Sequence, residues 1–447
     1  MIRYFFLLSL SLLFWGLHSS PGRAELTLDN IEPVELSLST MILFAMDNNP
    51  DVLIALEKYK QLGFFVDEAK SDYYPQIELQ LQGGREYITP TGGANTNNVG
   101  KSTLNLNQKI FDGFVTTSEI ERRKNLEDSA HYDLDIEKEN LILQVVEFYL
   151  DILRYQDEVK SSEKFVTEID SIVGTISDLY EAGAIGKAML DYAQSRQAAA
   201  YVDYNEAKSS LNDGISNLEF LTGPLPPFKA IPPDQFNANN IDKKIYIDNM
   251  SEENVFLQKN EVEITAMQNQ LKIEKGGYYP SVDFVMKAEQ THDDGGDIGR
   301  GRNLKGTINM TLDLFDGFNK QSRVKRVSSQ IKELEYRDDK LYKELKKDIN
   351  LAYNQLLAIR ESIRVTNQEI RSNRALQSLN RENFKLGSIN VIELIEGEER
   401  LNDAYARKYQ LQQEMYQNTY SLLLSSAMIE EEFFCETCDF AKANVEK

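Results

Sequence analysis

Cysteine, histidine and tryptophan are scarce in this 447-residue chain, which holds two, three and one of them. His18, His131 and His292 are scattered, so a histidine metal site or a Ser-His-Asp triad is poorly supplied. Cys435 and Cys438 stand three apart near the C-terminus. Two thiolates alone make a poor zinc site, and a thioredoxin-like role lacks the βαβ context. In an oxidising compartment they read as a short-loop disulfide. Long apolar runs are also missing, apart from Phe5 to Leu17 at the start. That run is short for a spanning helix. It lies between Arg3 and Gly22-Arg23-Ala24, the layout of a secretory signal cleaved after Ala24, with a signal anchor as the alternative. No Cys follows the cleavage point, so no N-terminal lipid is expected. No 18-residue apolar run remains beyond it, and any membrane passage must therefore use strands. Positive charge is in deficit: the net charge is −22, and loss of Arg3 and Arg23 makes it −24. A surface so acidic argues against nucleic acid and anionic membrane faces as partners.

Proline is absent between Pro90 and Pro224 and again after Pro280. Such tracts are free to be helical. What fills them is written twice. Tyr73-Tyr74-Pro75 recurs 205 residues later as Tyr278-Tyr279-Pro280, and Phe111-Asp112-Gly113-Phe114 recurs 204 later as Phe315-Asp316-Gly317-Phe318. Tyr180-Glu181-Ala182-Gly183 matches Phe384-Lys385-Leu386-Gly387, again 204 on. Three motifs in one order at one spacing make a tandem duplication. Repeat one is assigned to 25–223, a Pro-rich connector to 224–250, repeat two to 251–428 and an acidic tail to 429–447.

Within each Pro-free tract the apolar residues follow a 4-3-4-3-4 spacing. Leu141, Val145, Phe148, Ile152, Tyr155 and Val159 have counterparts at Leu345, Ile349, Ala352, Leu356, Ile359 and Ile363. That is a coiled-coil seam. A helix from Val115 to Ala182 would run roughly 100 Å at 1.5 Å per residue, too long to wrap a compact core. Helical pattern resumes after Gly183 and Gly387, so helical-hairpin tips are expected near 183–188 and 387–391.

Between the Tyr-Tyr-Pro and Phe-Asp-Gly-Phe motifs the period changes to two. Ile77, Leu79 and Leu81 alternate with Glu78, Gln80 and Gln82, and Val282, Phe284 and Met286 alternate with Asp283 and Lys287. Strands are expected at about 76–88, 102–111, 281–290 and 304–314, with Gly- and Asn-rich loops between. About ten residues with one apolar face suits a tilted barrel strand in a bilayer; a soluble sheet on a core shows the same alternation. The long helices leave no layer to cover that face, which favours lipid. Four strands cannot close a barrel, and an open edge does not survive in lipid, so several chains must pool their strands. Tyr73, Tyr74, Phe111, Phe114, Tyr278, Tyr279, Phe315 and Phe318 then flank the hairpins as interface aromatics, with packing at a helix–sheet junction as the alternative. Pro75 and Pro280 end the incoming helices, and Asp112 and Asp316 are placed to cap the outgoing ones.

The duplicated order of helix, Tyr-Tyr-Pro, hairpin, Phe-Asp-Gly, long helix, Gly tip and helix resembles the TolC family of outer-membrane efflux and secretion channels. Asn49-Pro50 and Leu221-Thr222-Gly223 also resemble its signatures. The resemblance implies a mixed α/β membrane fold: a homotrimer with a 12-stranded β-barrel continuous with a periplasmic α-helical barrel. It implies an outer membrane of a Gram-negative bacterium, a periplasmic adaptor (a membrane fusion protein) meeting the tips, and an inner-membrane ABC or proton-driven transporter, with outer-membrane lipid around the barrel and no cofactor. Adaptor contact falls on Gly183, Ala184, Ile185, Gly387, Ser388 and Ile389. The family's paired acids at the periplasmic aperture correspond to Glu393 and Glu396, which share a helix face; exposed helix acids are the alternative. The sequence departs from the family where that mouth is locked. Ile389 stands where a basic residue is expected and Met189 where an acid is, so apolar contacts would have to hold the mouth. Lys187 and Leu190 lie in the corresponding region of the first tip. The Phe endings of both Phe-Asp-Gly-Phe motifs lean towards type I protein secretion over multidrug efflux. A pore-free coiled-coil envelope protein would not need the hairpins, and an enzyme lacks any nucleophile, metal cluster or cofactor motif.

Overall fold

The computed structural model describes residues 33–88, 95–233, 243–293 and 299–429. The leader, the acidic tail and Cys435 and Cys438 lie outside the described residues.

Each repeat opens on a buried asparagine that stops one helix and starts the next. Asn49 ends α1 (Leu38–Asn48) and its side chain accepts the Asp51 N–H at 2.8 Å to begin α2 (Pro50–Ser71). Asn254 does the same between α5 (Lys243–Glu253) and α6 (Val255–Gly276), accepting from Phe256 N at 3.1 Å. A buried Asn satisfies orphan amides that an apolar residue would leave unpaired.

Two 67-residue helices dominate, α3 (Val115–Glu181) and α7 (Asn319–Lys385). Each folds back at its glycine into α4 (Lys187–Thr222) or α8 (Val391–Ser425). Of the expected seam, Leu141, Val145, Ile152, Ile349, Ala352 and Leu356 are buried; the others are half-buried. The α3 seam packs against α1, α4 and the end of α8, with Met41, Ile42, Leu218 and Leu423 in one apolar cluster.

The connector is more ordered than its prolines imply. Phe228–Ala230 forms β4, parallel to β1 (Val34–Leu36). The Tyr149 hydroxyl from α3 clasps this pair: it lies 2.7 Å from Leu36 O and accepts the Ile231 N–H at 2.9 Å. Burial pushes that phenol up to about 12. The expected connector also runs into α5.

The four long strands form one antiparallel sheet in the order β2 (Gln76–Ile88), β3 (Asn95–Phe111), β5 (Ser281–His292), β6 (Arg300–Thr311). Three expected boundaries are corrected. β6 begins at Arg300 and not at 304, because Arg300–Asn303 pair with Glu289–His292. β3 begins at Asn95 and not at 102, because Asn95–Gly100 pair with Gly83–Ile88; polar and glycine residues there read as a loop yet belong to the ladder. β6 stops at Thr311 and not at 314. Its counterpart β3 continues to Phe111 only because Gln108 to Phe111 pair with β5, and residues 312–315 have no strand beside them among the described residues.

Candidate functional site

Strand register sorts the sheet into two faces. Leu79, Leu104, Ala288 and Leu304 stand side by side across all four strands. The next row on the other face runs Glu78, Asn105, Lys287, Lys305, and then Gln80, Thr103, Glu289, Asn303. The apolar face is bare: Ile77, Leu79, Leu81, Leu304, Ile308 and Met310 are each more than 60% exposed. Leaving this much aliphatic surface in water is costly at about 25 cal/mol per Å². Lipid removes that cost. On the polar face, Glu289 pairs with Lys287 at 2.6 Å and Lys101 at 3.3 Å.

The aromatic corners join sheet to helices. Gly113 and Phe114 both take left-handed backbone (φ 71 and 67), as do Gly317 and Phe318. This turns the strand sharply into the helix, and Asp112 accepts from Thr116 N at 2.8 Å while Asp316 accepts from Lys320 N at 2.9 Å. Both acids cap the new helix. Left-handed backbone costs a phenylalanine about 1 kcal/mol or more, offset in part by ring contacts: Phe111 stands edge-on to Phe114 at 5.4 Å and Phe315 to Phe318 at 5.5 Å. Phe114 also meets Tyr279 at 6.2 Å, and the Tyr73 hydroxyl lies 2.8 Å from Thr117 Oγ1. Tyr73, Tyr74, Tyr278, Tyr279, Phe114, Phe315 and Phe318 are exposed in a band beside the strand ends; Phe111 is half-buried.

At the opposite end the two tips are built alike. Gly183 and Gly387 each take φ 73, and the following amides reach back, Ala184 N to Leu179 O and Ser388 N to Asn383 O, both at 2.8 Å. Gly183, Ala184, Gly387 and Ser388 are exposed. Ile185, Met189 and Ile389 are half-buried on one apolar cluster containing Ile169, Ile172, Ile176, Val391, Leu394 and Ile395. The structure thus brings Met189 and Ile389 onto the same core. Asn390 caps α8 by accepting from Glu393 N at 2.9 Å. Glu393 and Glu396 are exposed on that helix, with Arg400 3.5 Å from Glu396. The first-tip residues one repeat earlier than Glu393 and Glu396 are Met189 and Tyr192; Lys187 merely opens α4 and Leu190 packs on the tip core.

Two features escaped sequence reasoning. The acidic face of α8 continues through Glu399 and Asp403 towards Asp203 on α4. Burial raises the Glu399 carboxyl, and Asp403 and Glu396 add to this against Arg196 and Arg400. Burial likewise raises Asp203, helped by Glu206 and Asp403. On the opposite face, Glu398 is 3% exposed and receives Arg381 Nε at 2.9 Å and Gln377 Nε2, while Arg381 Nη2 also reaches Glu168 on α3 at 2.5 Å. Burial lowers the Arg381 pKa, but its bonds to Glu398 and Glu168 outweigh this and hold it above the ordinary value. This network ties the second hairpin to the first. A glutamate inside the apolar spacing of α8 was its one sequence signal.

A family model described as outer membrane efflux protein matches the chain twice, over residues 44–224 and 246–426. The chain belongs to that family. The outer membrane efflux protein BepC of Brucella suis biovar 1 is 19% identical over 356 residues, covering 79% of this chain and 77% of that protein. The outer membrane protein TolC of Vibrio cholerae is 19% identical over 378 residues, covering 80% and 83%. The outer membrane channel CmeC of Campylobacter jejuni has the same fold, with a TM-score of 0.78 at 16% identity over 92% of this chain and 88% of that one. The chain is an outer-membrane protein of the Gram-negative type, with a β-barrel continuous with a periplasmic helical barrel. Channels of this family are trimers that work with periplasmic adaptors and inner-membrane transporters.

Proposed function

We propose that this protein is the exit duct of a tripartite export system. It passes substrate from an inner-membrane transporter and its adaptor across the periplasm and outer membrane. The observation that carries this is the two-faced, open-edged sheet continuous with paired helices of roughly 100 Å. The apolar face suits lipid, the polar face a water-filled lumen, and the helices a periplasmic conduit. The exposed tip residues Gly183, Ala184, Gly387 and Ser388, with the half-buried Ile185 and Ile389 beside them, are where an adaptor would dock, and the aromatic corners mark the inner boundary of the membrane.

Glu393 and Glu396 form the aperture in this reading. Three copies would gather six carboxylates around one axis, attracting cations and repelling anions. Met189 and Ile389 brace the mouth through the apolar core that they share. The cargo reading shifts from protein secretion to small-molecule efflux. Phe114 and Phe318 shape the membrane corners, so they say nothing of cargo, and BepC carries efflux in its name. Deleting the gene should lower resistance to several unrelated amphiphilic drugs and leave the secreted proteins unchanged; the reverse pattern restores type I secretion. In planar bilayers the purified trimer should show a small, cation-selective conductance. A large conductance without ion selectivity would sink the proposed mouth.

A further inference from the structure

The charges of the four-stranded sheet are sorted by face and by type. All four acids and all four lysines of its strands lie on the polar face, whereas all three arginines, Arg85, Arg300 and Arg302, lie on the apolar one. Within these strands a chain of net charge −22 thus turns no acid towards the lipid side. The arginines are exposed, and Arg300 and Arg302 make no ion pair among the described residues. Arg85 has Asn98 as its partner, donating from Nε at 3.3 Å. Lys101 and Lys287, by contrast, have Glu289 beside them. The depth of the arginines follows from their distance along the strand from the aromatic corners. Arg85 stands 11 residues beyond Tyr74, and Arg302 and Arg300 stand 13 and 15 before Phe315. A tilted strand crosses the hydrocarbon core in about 9–11 residues, so all three lie just past its far edge, on the side away from the helices. Arginine is costly at the bilayer midplane and tolerated at this level. Gly83, Gly100, His292 and Arg300 form one row there, and its two glycines leave the face open between the edge strands.

We propose that these arginines bind the phosphate groups of the saccharolipid that builds the outer leaflet of a Gram-negative outer membrane. The proposal rests on the apolar face meeting lipid, and it extends that reading from the acyl chains to the headgroup. The local charge runs against the acidity of the whole chain, and it does so where a lipid headgroup is the neighbour. The opposite boundary of the same face is marked by aromatic rings instead, as two unlike leaflets would require. Guanidinium suits the task because its planar fork holds a phosphate through two hydrogen bonds, whereas an ammonium group is a compact point charge. The lysines of the polar face meet water and need no such geometry. Arg85 on one edge strand and Arg300 and Arg302 on the other are three strand spacings apart, roughly 14 Å at about 4.8 Å each. A sugar pair with a phosphate at each end can bridge that span, and the glycine row leaves room for its rings. A glycerolipid with one phosphate engages one edge only. With no strand carboxylate on this face, the chemistry offered is direct arginine contact, not a divalent cation held between acids.

The test counts lipids bound to the purified full-chain trimer in mild detergent by native mass spectrometry. Wild type should retain the diphosphorylated disaccharide lipid about tenfold better than the same lipid stripped of its phosphates. Arg85→Gln with Arg300→Gln and Arg302→Gln should abolish that preference. Lys101→Gln with Lys287→Gln and Lys305→Gln removes the same charge from the polar face and should keep it. The comparison of lipids uses wild type alone, so it decides the matter even if a variant fails to fold. Equal retention of both lipids by wild type overturns the proposal, as does undiminished preference in the arginine variant. Displacement by phosphatidylglycerol at equal concentration overturns the choice of ligand, because it shows a surface for any anionic lipid. These outcomes leave the channel reading untouched, and that reading fails separately if the trimer does not conduct.

Discussion

The two helical tips are copies of one hairpin put to different uses. The first, around Gly183, has no side-chain cap at Gly186 and presents Met189 and Tyr192 where the second presents Glu393 and Glu396. The second, around Gly387, is capped by Asn390, carries the acids and is tied back to α3 by Arg381. The shared backbone shows that the turn is set by glycine geometry. The difference is that the paired acids stand on one hairpin of the two, which the proposed mouth, lined by only half the helices, would require.

The largest expected effect breaks that tie. Arg381→Ala strands the buried Glu398 and releases Glu168. Breaking a buried pair costs about 3–5 kcal/mol, and because Arg381 is partly exposed we expect about 2–3 kcal/mol, confined to the second hairpin. Hydrogen exchange should speed up along α8 from Val391 to Leu401 and remain unchanged along α4. Equal loosening of both tips would show that Arg381 does not distinguish them.

Glu393→Gln with Glu396→Gln should lower the cation-to-anion permeability ratio of the trimer about tenfold, equivalent to about 1.4 kcal/mol. Met189→Gln with Tyr192→Gln in the first tip should leave the ratio unchanged. If the two double variants behave alike, the acids are ordinary surface charge. Next in size is the cap: Asn390→Ala should cost about 1 kcal/mol of hairpin stability, whereas Gly186→Asn should gain only a few tenths, read from the proteolysis rates of the two tips.

The parts of this comparison that were legible in the sequence are those set by local chemistry. Glycines in left-handed turns, prolines ending helices, Asp112 and Asp316 as caps and the period-two strands all leave marks within a few residues. The Arg381–Glu398–Glu168 network does not, because Arg381 and Glu168 stand 213 residues apart and meet only through tertiary packing. The β1–β4 pair was hidden for a similar reason: each strand has three residues, and Tyr149 secures them from a distant helix. The early stop of β6 could not be read at all, since the sequence pattern continues to residue 314 while no described strand lies beside residues 312–315.

The smallest effect concerns pH. Burial, with Asp403 and Glu396 beside it, raises the Glu399 carboxyl above the ordinary value of 4.5, and Arg196 at 3.5 Å and Arg400 only partly oppose this. In the unfolded chain the burial, the largest cause, is gone. Between 4.5 and the raised value the folded protein therefore binds more protons than the unfolded one, so stability falls as pH rises through that window and is recovered on acidification. Asp203 on α4 has the same sign, raised by burial, Glu206 and Asp403. The second hairpin should accordingly tighten slightly in mild acid. Glu399→Gln should remove most of that dependence in α8 exchange rates measured from pH 7 downwards, while Tyr192→Gln in the first tip should not. A hairpin that loosens steadily on acidification would mean that the Arg196–Glu399 attraction outweighs burial, and would reverse the sign.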